Sequence, residues 1–216
     1  MPVIPRDPVQ RILFACFLLF FAGSCISPPF LQFLMMQHVP TVLAALLLGW
    51  MANRFTISRI SFALIVLFLC LHTLGARYLY SYTPYDVWSE ALLGVNITEL
   101  FGLERNHYDR LVHFSYGLLL VVPIQEFERR YLRLSMIVAS VLAVEFILAT
   151  SAAYELLEWG IAVVFTPDWA ESFLGQQGDI FDAQKDTALA TLGALISVSI
   201  LMLLRRRKVE QGRVLR

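Results

Sequence analysis

Charge is scarce in this sequence. Only 16% of its 216 residues are Asp, Glu, Lys or Arg, against 58% hydrophobic, where a soluble domain carries nearer a quarter charged residues. The apolar residues stand in runs instead of alternating with polar ones, and the mean hydropathy is +0.66. An ordinary water-soluble fold is thereby excluded, and lipid is the solvent the chain is built for. Cysteine is nearly absent: Cys16, Cys25 and Cys70 all lie in apolar runs, far from any Cys or His at ligand spacing. They read as small packing residues and imply no disulfide framework. No Walker loop, HExxH, GxSxG or CxxC pair occurs, so the chemistries those motifs carry have no support. Internal repeats and low-complexity segments are missing as well.

What is present is a series of apolar stretches. They predict an all-α polytopic transmembrane helix bundle of about six spans, a single integral membrane domain over 1–216. The spans read as 12–27, 39–53, 58–77, 108–126, 134–165 and 185–204. Arg6 and Arg11 precede the first run as they would in a signal peptide. Ser24-Cys25-Ile26-Ser27 is a poor cleavage site, however, so an uncleaved anchor is expected. The fourth run is short. Its uncharged residues extend only from Leu111 to Ile124, about 21 Å of helix against a hydrocarbon core about 30 Å thick, so it must draw in Asp109, Arg110 and His113. The fifth is long, about 48 Å if helical from Leu134 to Phe165, with Glu145, Glu155 and Glu158 inside it. It is expected to tilt, to bend near Thr150-Ser151, or to project beyond the bilayer.

The basic residues set an orientation. Arg6 and Arg11, then Arg54 and Arg59, then Arg129, Arg130 and Arg133, then Arg205 to Lys208 fall in four segments that share one side if six spans alternate. That side is expected to be cytoplasmic, with both termini on it. The opposite connections are uncharged (the first) or acidic (78–107 and 166–184). The basic residues are ordinary membrane anchors, and nucleic-acid binding has no support.

Ionisable residues at membrane depth are expensive, roughly 2.5 to 3.5 kcal/mol each on insertion scales. Here they gather toward the extracytoplasmic end of the predicted bundle: His72 and Arg77 close the third span, Asp109, Arg110 and His113 open the fourth, Glu155 and Glu158 lie in the fifth, and Asp179, Asp182 and Asp186 lead into the sixth. Asp109 and His113 are four apart and Glu155 and Glu158 three apart, so each pair shares a helix face. The aspartates stand at i, i+3 and i+7, a face that continues to Gly193, where helices can pack closely. N-capping acids and an internal ion pair are the plainer reading of the same residues. Six carboxylates together nevertheless repel one another unless Arg77, Arg110, protons or a metal neutralise them. Three chemistries fit the cluster: a divalent ion on oxygen-rich ligands with His, general acid–base catalysis by carboxylates of split pKa, and a proton or ion relay. The candidate catalytic set is Asp109, His113, Glu155 and Glu158. The ligand-binding set is Arg77, Arg110 and His72, and the metal-ligand set is Glu155, Glu158, Asp179, Asp182 and Asp186. Tyr78, Tyr80, Tyr82, Tyr85 and Trp88 read as an interfacial aromatic belt. Glu126, Glu128, Arg129 and Arg130 read as a solvated cap, and Glu145 as a residue with an unnamed polar partner.

Four ordered blocks resemble the YjdF-like inner-membrane protein family. They are His72-Thr73-Leu74-Gly75-Ala76-Arg77-Tyr78-Leu79-Tyr80-Ser81, Arg105-Asn106-His107-Tyr108-Asp109-Arg110-Leu111-Val112-His113-Phe114, Tyr154-Glu155-Leu156-Leu157-Glu158-Trp159, and the run from Phe173 to Asp186 that contains Gly178-Asp179-Ile180-Phe181-Asp182. The family usually shows His where Arg77 stands and Trp where Phe181 stands. The resemblance implies a multi-pass protein of the bacterial inner membrane and brings no reaction with it. A fainter similarity is to VanZ-like membrane proteins, which also place Asp and His four apart at the start of one span; by analogy it points to the cell envelope. The leading expectation is an envelope protein with a polar site in its outer leaflet, partnered by the bilayer and by a lipid-linked or anionic, phosphate-bearing ligand, through a divalent metal ion as cofactor. In it Arg77 and Arg110 hold anionic groups and His113 transfers protons. A proton- or ion-coupled transporter and a non-catalytic membrane scaffold are the alternatives.

Overall fold

The structure is a computed structural model that describes residues 3–164 and 173–214, with side chains through 207. Among the described residues the chain is all helix, with no strand. Asp7 accepts from the Val9 and Gln10 amides and Pro8 occupies the first turn, so α1 begins at once and runs Pro8–Ser24. Next come α2 (Leu31–Arg54) and α3 (Arg59–Arg77), the latter capped by the Ser58 hydroxyl on the Ser61 amide. Two short helices, α4 (Tyr85–Leu93) and α5 (Ile97–Leu100), lie in the following connection. The chain then forms α6 (Tyr108–Tyr131), α7 (Met136–Val164) and α8 (Asp182–Val214).

Four of these, α2, α3, α7 and α8 over Asp182–Arg207, are long and apolar enough to cross a membrane, and α1 is a shorter apolar helix. The sixth long helix, α6, has 24 residues, about 36 Å at 1.5 Å per residue. Its length includes Asp109, Arg110 and His113, as the shortness of its apolar run requires. α7 continues without interruption through Thr150 and Ser151 for 29 residues. The helix at 39–53 starts earlier than expected, at Leu31. Pro40 lies inside it, and the Thr41 hydroxyl donates to the Gln37 carbonyl at 3.1 Å beside that break in the ladder. α8 likewise starts three residues early, which brings Asp182 into its first turn.

Packing divides the bundle into two groups of three. Phe14 and Phe17 of α1, Ala45 and Leu48 of α2, and Phe62, Val66 and Leu69 of α3 form one core. Val121 of α6, Ala143 and Ile147 of α7, and Ala190 and Ala194 of α8 form the other. The groups meet where α3 packs on α6. Within the second group α6 and α8 run parallel and almost backbone to backbone. A Cβ on Gly117 would overlap the Ala190 carbonyl, and one on Gly193 would overlap the Phe114 carbonyl. Neighbours in sequence alternate in direction, so the N-terminal segment and residues 54–59 and 126–133 share one end. Arg59 pairs there with Asp7 at 2.9 Å and Arg130 donates to the Thr56 carbonyl at 2.5 Å. This is the basic end. The connections at 25–30, 78–107 and 173–181 lie at the other, acidic end.

Candidate functional site

At the acidic end two connections are stitched together by backbone groups. The Asn106 side chain accepts from the Tyr108 amide at 3.0 Å, which starts α6, and donates to the Thr83 carbonyl at 2.9 Å. The Asn106 amide donates to Gln177 Oε1, and Gln177 Nε2 returns a bond to the Asn106 carbonyl, both at 3.1 Å. Arg105 donates to the Gln176 carbonyl. The segment on the other side needs left-handed backbone at Gly175 (φ 66°), Gln177 (φ 49°) and Gly178 (φ 85°), a turn that two glycines allow at little steric cost. It delivers Asp179, whose carboxylate accepts from the Phe181 amide at 3.1 Å as α8 begins.

Ion pairs then fix the head of α8 against that of α6. Arg105 pairs with Asp182, both nearly buried. Arg110 pairs with Asp179 at 2.5 Å and reaches Asp182 at 3.4 Å. Lys185 joins Asp179 at 2.6 Å. The Lys185 ammonium, the Phe181 amide and the Arg110 guanidinium hold the Asp179 carboxyl down to about 2, from an ordinary 3.8. That carboxylate is therefore charged at every pH above about 4. His107 sits beside it, its Nδ1 facing the Arg105 carbonyl at 2.8 Å and its Nε2 the Arg110 guanidinium at 3.0 Å. Burial lowers its pKa, so the ring is neutral and accepts from Arg110.

One turn deeper lies a second, differently built group. Asp109 and His113 of α6 and Asp186 of α8 each offer a donor atom within 4.8 Å of the others. His113 Nε2 stands 3.7 Å from Asp109 Oδ1 and 3.3 Å from Oε1 of Glu155 on α7. Asp186 is 2% exposed, and its Oδ1 has no hydrogen-bond partner among the described residues. Two cavities meet here. One of about 290 Å³ lies between the two three-helix groups and is lined by His72, Tyr80, Asp109, His113, Tyr154 and Glu158 among others. A larger one of about 590 Å³ is lined by Asp109, Glu155, Glu158, Asp182 and Asp186 on one side and by Leu156, Trp159 and Ile180 on the other.

The structure thus brings Asp109, His113, Glu155, Glu158, Asp182, Asp186 and His72 onto two adjoining cavities, with Arg110 and Asp179 in the clasp above them. It does not bring Arg77 there. That guanidinium donates to the carbonyls of Ser24 (2.5 Å), Ile26 (2.9 Å) and Ser27 (3.4 Å) and closes the end of α1. Arg105 is the partner that sequence reasoning missed, because it reads there as one loop charge among several acids. Tyr80 is not an interfacial belt residue. It is hydrogen-bonded to His72 Nδ1 at 2.5 Å and lines the smaller cavity, and burial raises its phenol pKa well above the ordinary value. Glu145 faces outward from α7 and has no hydrogen-bond or ion-pair partner among the described residues. Glu126 is no solvated cap: it accepts from the Ser58 amide at 3.0 Å and from the Ser58 and Ser61 hydroxyls, tying α6 to the start of α3.

Residues 9–207 match the family model described as "Predicted membrane protein (DUF2238)". The chain is also 34% identical over 179 residues to the inner membrane protein YjdF of Escherichia coli (strain K12), covering 82% of this chain and 81% of that one. No solved structure matches.

Proposed function

The chain belongs to the DUF2238 family of predicted membrane proteins, and from that premise we propose that it binds a lipid-linked or phosphate-bearing ligand of the cell envelope, its polar head in the two cavities and its apolar part in the bilayer. The observation that carries the reading is the mixed wall of the larger cavity. Carboxylates line one side, while Leu156, Trp159 and Ile180 on the other are 66%, 63% and 80% exposed, a surface a membrane protein presents to acyl chains. An amphiphile diffusing in one leaflet meets both walls at once. Arg105 and Arg110 stand in the clasp beside the cavities, the cations nearest to an anionic head group there. Arg77, occupied at the end of α1, has no part in this reading.

A transporter needs acidic residues staged across the bilayer. Here the described acids of the cavities all stand at one end, and Glu145, the one that extends inward along α7, faces away from the bundle. A scaffold network satisfies its own polar atoms, whereas Asp186 Oδ1 is left over among the described residues. Native mass spectrometry of the detergent-purified chain tests the reading, with short-chain phosphatidic acid and polyprenyl monophosphate as probes, inorganic phosphate as the soluble source and phosphatidylcholine as the zwitterionic control. A saturable phosphomonoester lipid adduct is expected, weakened about tenfold by Trp159→Ala through lost apolar contact. Equal adducts with phosphatidylcholine, unchanged in Trp159→Ala, would defeat it.

A further inference from the structure

We infer that Asp109, His113, Glu155 and Asp186 form a binding site for one divalent first-row metal ion of the Mn²⁺ or Zn²⁺ type. The inference deepens the ligand reading and rests on it only for what the ion would hold. Three helices supply the donors: α6 gives Asp109 and His113 one turn apart, α7 gives Glu155, and α8 gives Asp186. In a tetrahedral site with bonds of about 2.1 Å, neighbouring donors stand about 3.4 Å apart. The His113–Glu155 and His113–Asp109 separations of 3.3 and 3.7 Å bracket that edge. The Asp109, His113 and Asp186 donors all lie within 4.8 Å of one another, and Glu155 joins that trio through His113.

A plain hydrogen-bonded acid cluster would account for part of this arrangement, since His113 can bridge Asp109 and Glu155 by itself. It does not account for Asp186. That carboxylate is 2% exposed, lines the larger cavity beside Asp109 and Glu155, and leaves Oδ1 without a partner among the described residues, an arrangement that is costly unless something accepts the lone pair. The neighbouring cations cannot serve, because Arg105, Arg110 and Lys185 are engaged on Asp182 and Asp179. Those pairs instead act as a frame: they fix the first turn of α8, and Asp186 stands one turn further along it. Three carboxylates and a neutral imidazole carry a formal charge of −3, which a divalent ion reduces to −1. One nitrogen among oxygen donors favours Mn²⁺ or Zn²⁺ over Mg²⁺ and Ca²⁺, which prefer oxygen alone.

The test uses the full chain in detergent, stripped with chelator. Mn²⁺ uptake is followed by electron paramagnetic resonance and Zn²⁺ uptake by equilibrium dialysis. One ion per chain is expected. Because loss of a supporting group around a metal weakens binding about 10- to 100-fold, loss of a ligand in Asp186→Asn or His113→Gln should exceed 100-fold. His113→Gln should also remove the imidazole signature from the Zn²⁺ X-ray absorption spectrum, while Glu145→Gln binds as the parent does. Asp186→Asn relieves charge crowding and should keep the parent's circular dichroism and elution volume, so it decides the matter if His113→Gln does not fold. Absence of saturable uptake, or full uptake by folded Asp186→Asn, would overturn the site. Phosphomonoester lipid binding by a chain that takes up no ion would overturn the ion site and leave the ligand reading standing. Ion uptake without lipid binding would support the ion site and sink the ligand reading.

Discussion

Arg105 and Asp182 show how much one residue contributes that its sequence neighbourhood hides. Their side chains are 11% and 5% exposed, so each charge depends on the other for the solvation it has lost. Removing one partner of such a pair typically costs about 3 to 5 kcal/mol, because the survivor stays buried and uncompensated, whereas removing both is far milder. Arg105→Gln is therefore expected to lower the thermal midpoint in detergent sharply, and Arg105→Gln/Asp182→Asn to recover most of the loss. Additive losses in that double-mutant cycle would mean the two side chains do not act as a pair. Asp182 stands out in the sequence by its spacing to Asp179 and Asp186. Its partner does not, since 77 residues separate the two and no periodicity links a loop arginine to a distant helix start. Glu126 was missed for the same reason, its Ser58 and Ser61 partners being 68 and 65 residues away.

The long helices were legible because each holds a local apolar run, whereas the short α4 and α5 hold none and were not. The departures have local physical causes. The span at 39–53 omits the more polar first turns of α2, which begins at Leu31 and runs through Pro40. The aromatic run after α3 resembles a belt, but Tyr80 turns inward to His72. What no run of residues announces is how near two helices come. Gly193 hinted at close packing, and Gly117 supplies the other half on α6, so the two backbones nearly touch and Asp186 is held against Asp109. An added methyl at Gly117 would meet only backbone atoms of Ala190 and Ala194, which cannot step aside as a side-chain tip would. Gly117→Ala is thus expected to destabilise the chain by about 1 to 3 kcal/mol and to weaken ion uptake with it. Gly160 in α7 has nothing within 4 Å of its would-be Cβ, so Gly160→Ala should be neutral or stabilising by up to about 1 kcal/mol. Equal thermal shifts for the two variants would show that helix propensity, not close approach, governs Gly117.

For the whole molecule, the bundle sorts its charge by end. At the basic end Arg6, Arg11, Arg54, Arg59, Arg129, Arg130 and Arg133 gather around the N-terminal segment and two connections. At the acidic end every described arginine or lysine is committed, Arg77 to carbonyls at and just past the end of α1 and Arg105, Arg110 and Lys185 to aspartates. Lys and Arg in short connections are retained on the cytoplasmic side, so the basic end is expected to face the cytoplasm and the cavities the outer leaflet. Single cysteines distinguish the ends in a chain whose Cys16, Cys25 and Cys70 are replaced by alanine. Leu92→Cys reports on α4, where the side chain is 81% exposed, and Arg207→Cys reports on the far end of α8. An impermeant maleimide added to intact cells should label Leu92→Cys at once and Arg207→Cys only after the membrane is opened. The reverse pattern would turn the cavities toward the cytoplasm. An envelope ligand arriving from the outer leaflet could then not reach Asp109 and Asp186, whatever ion they hold.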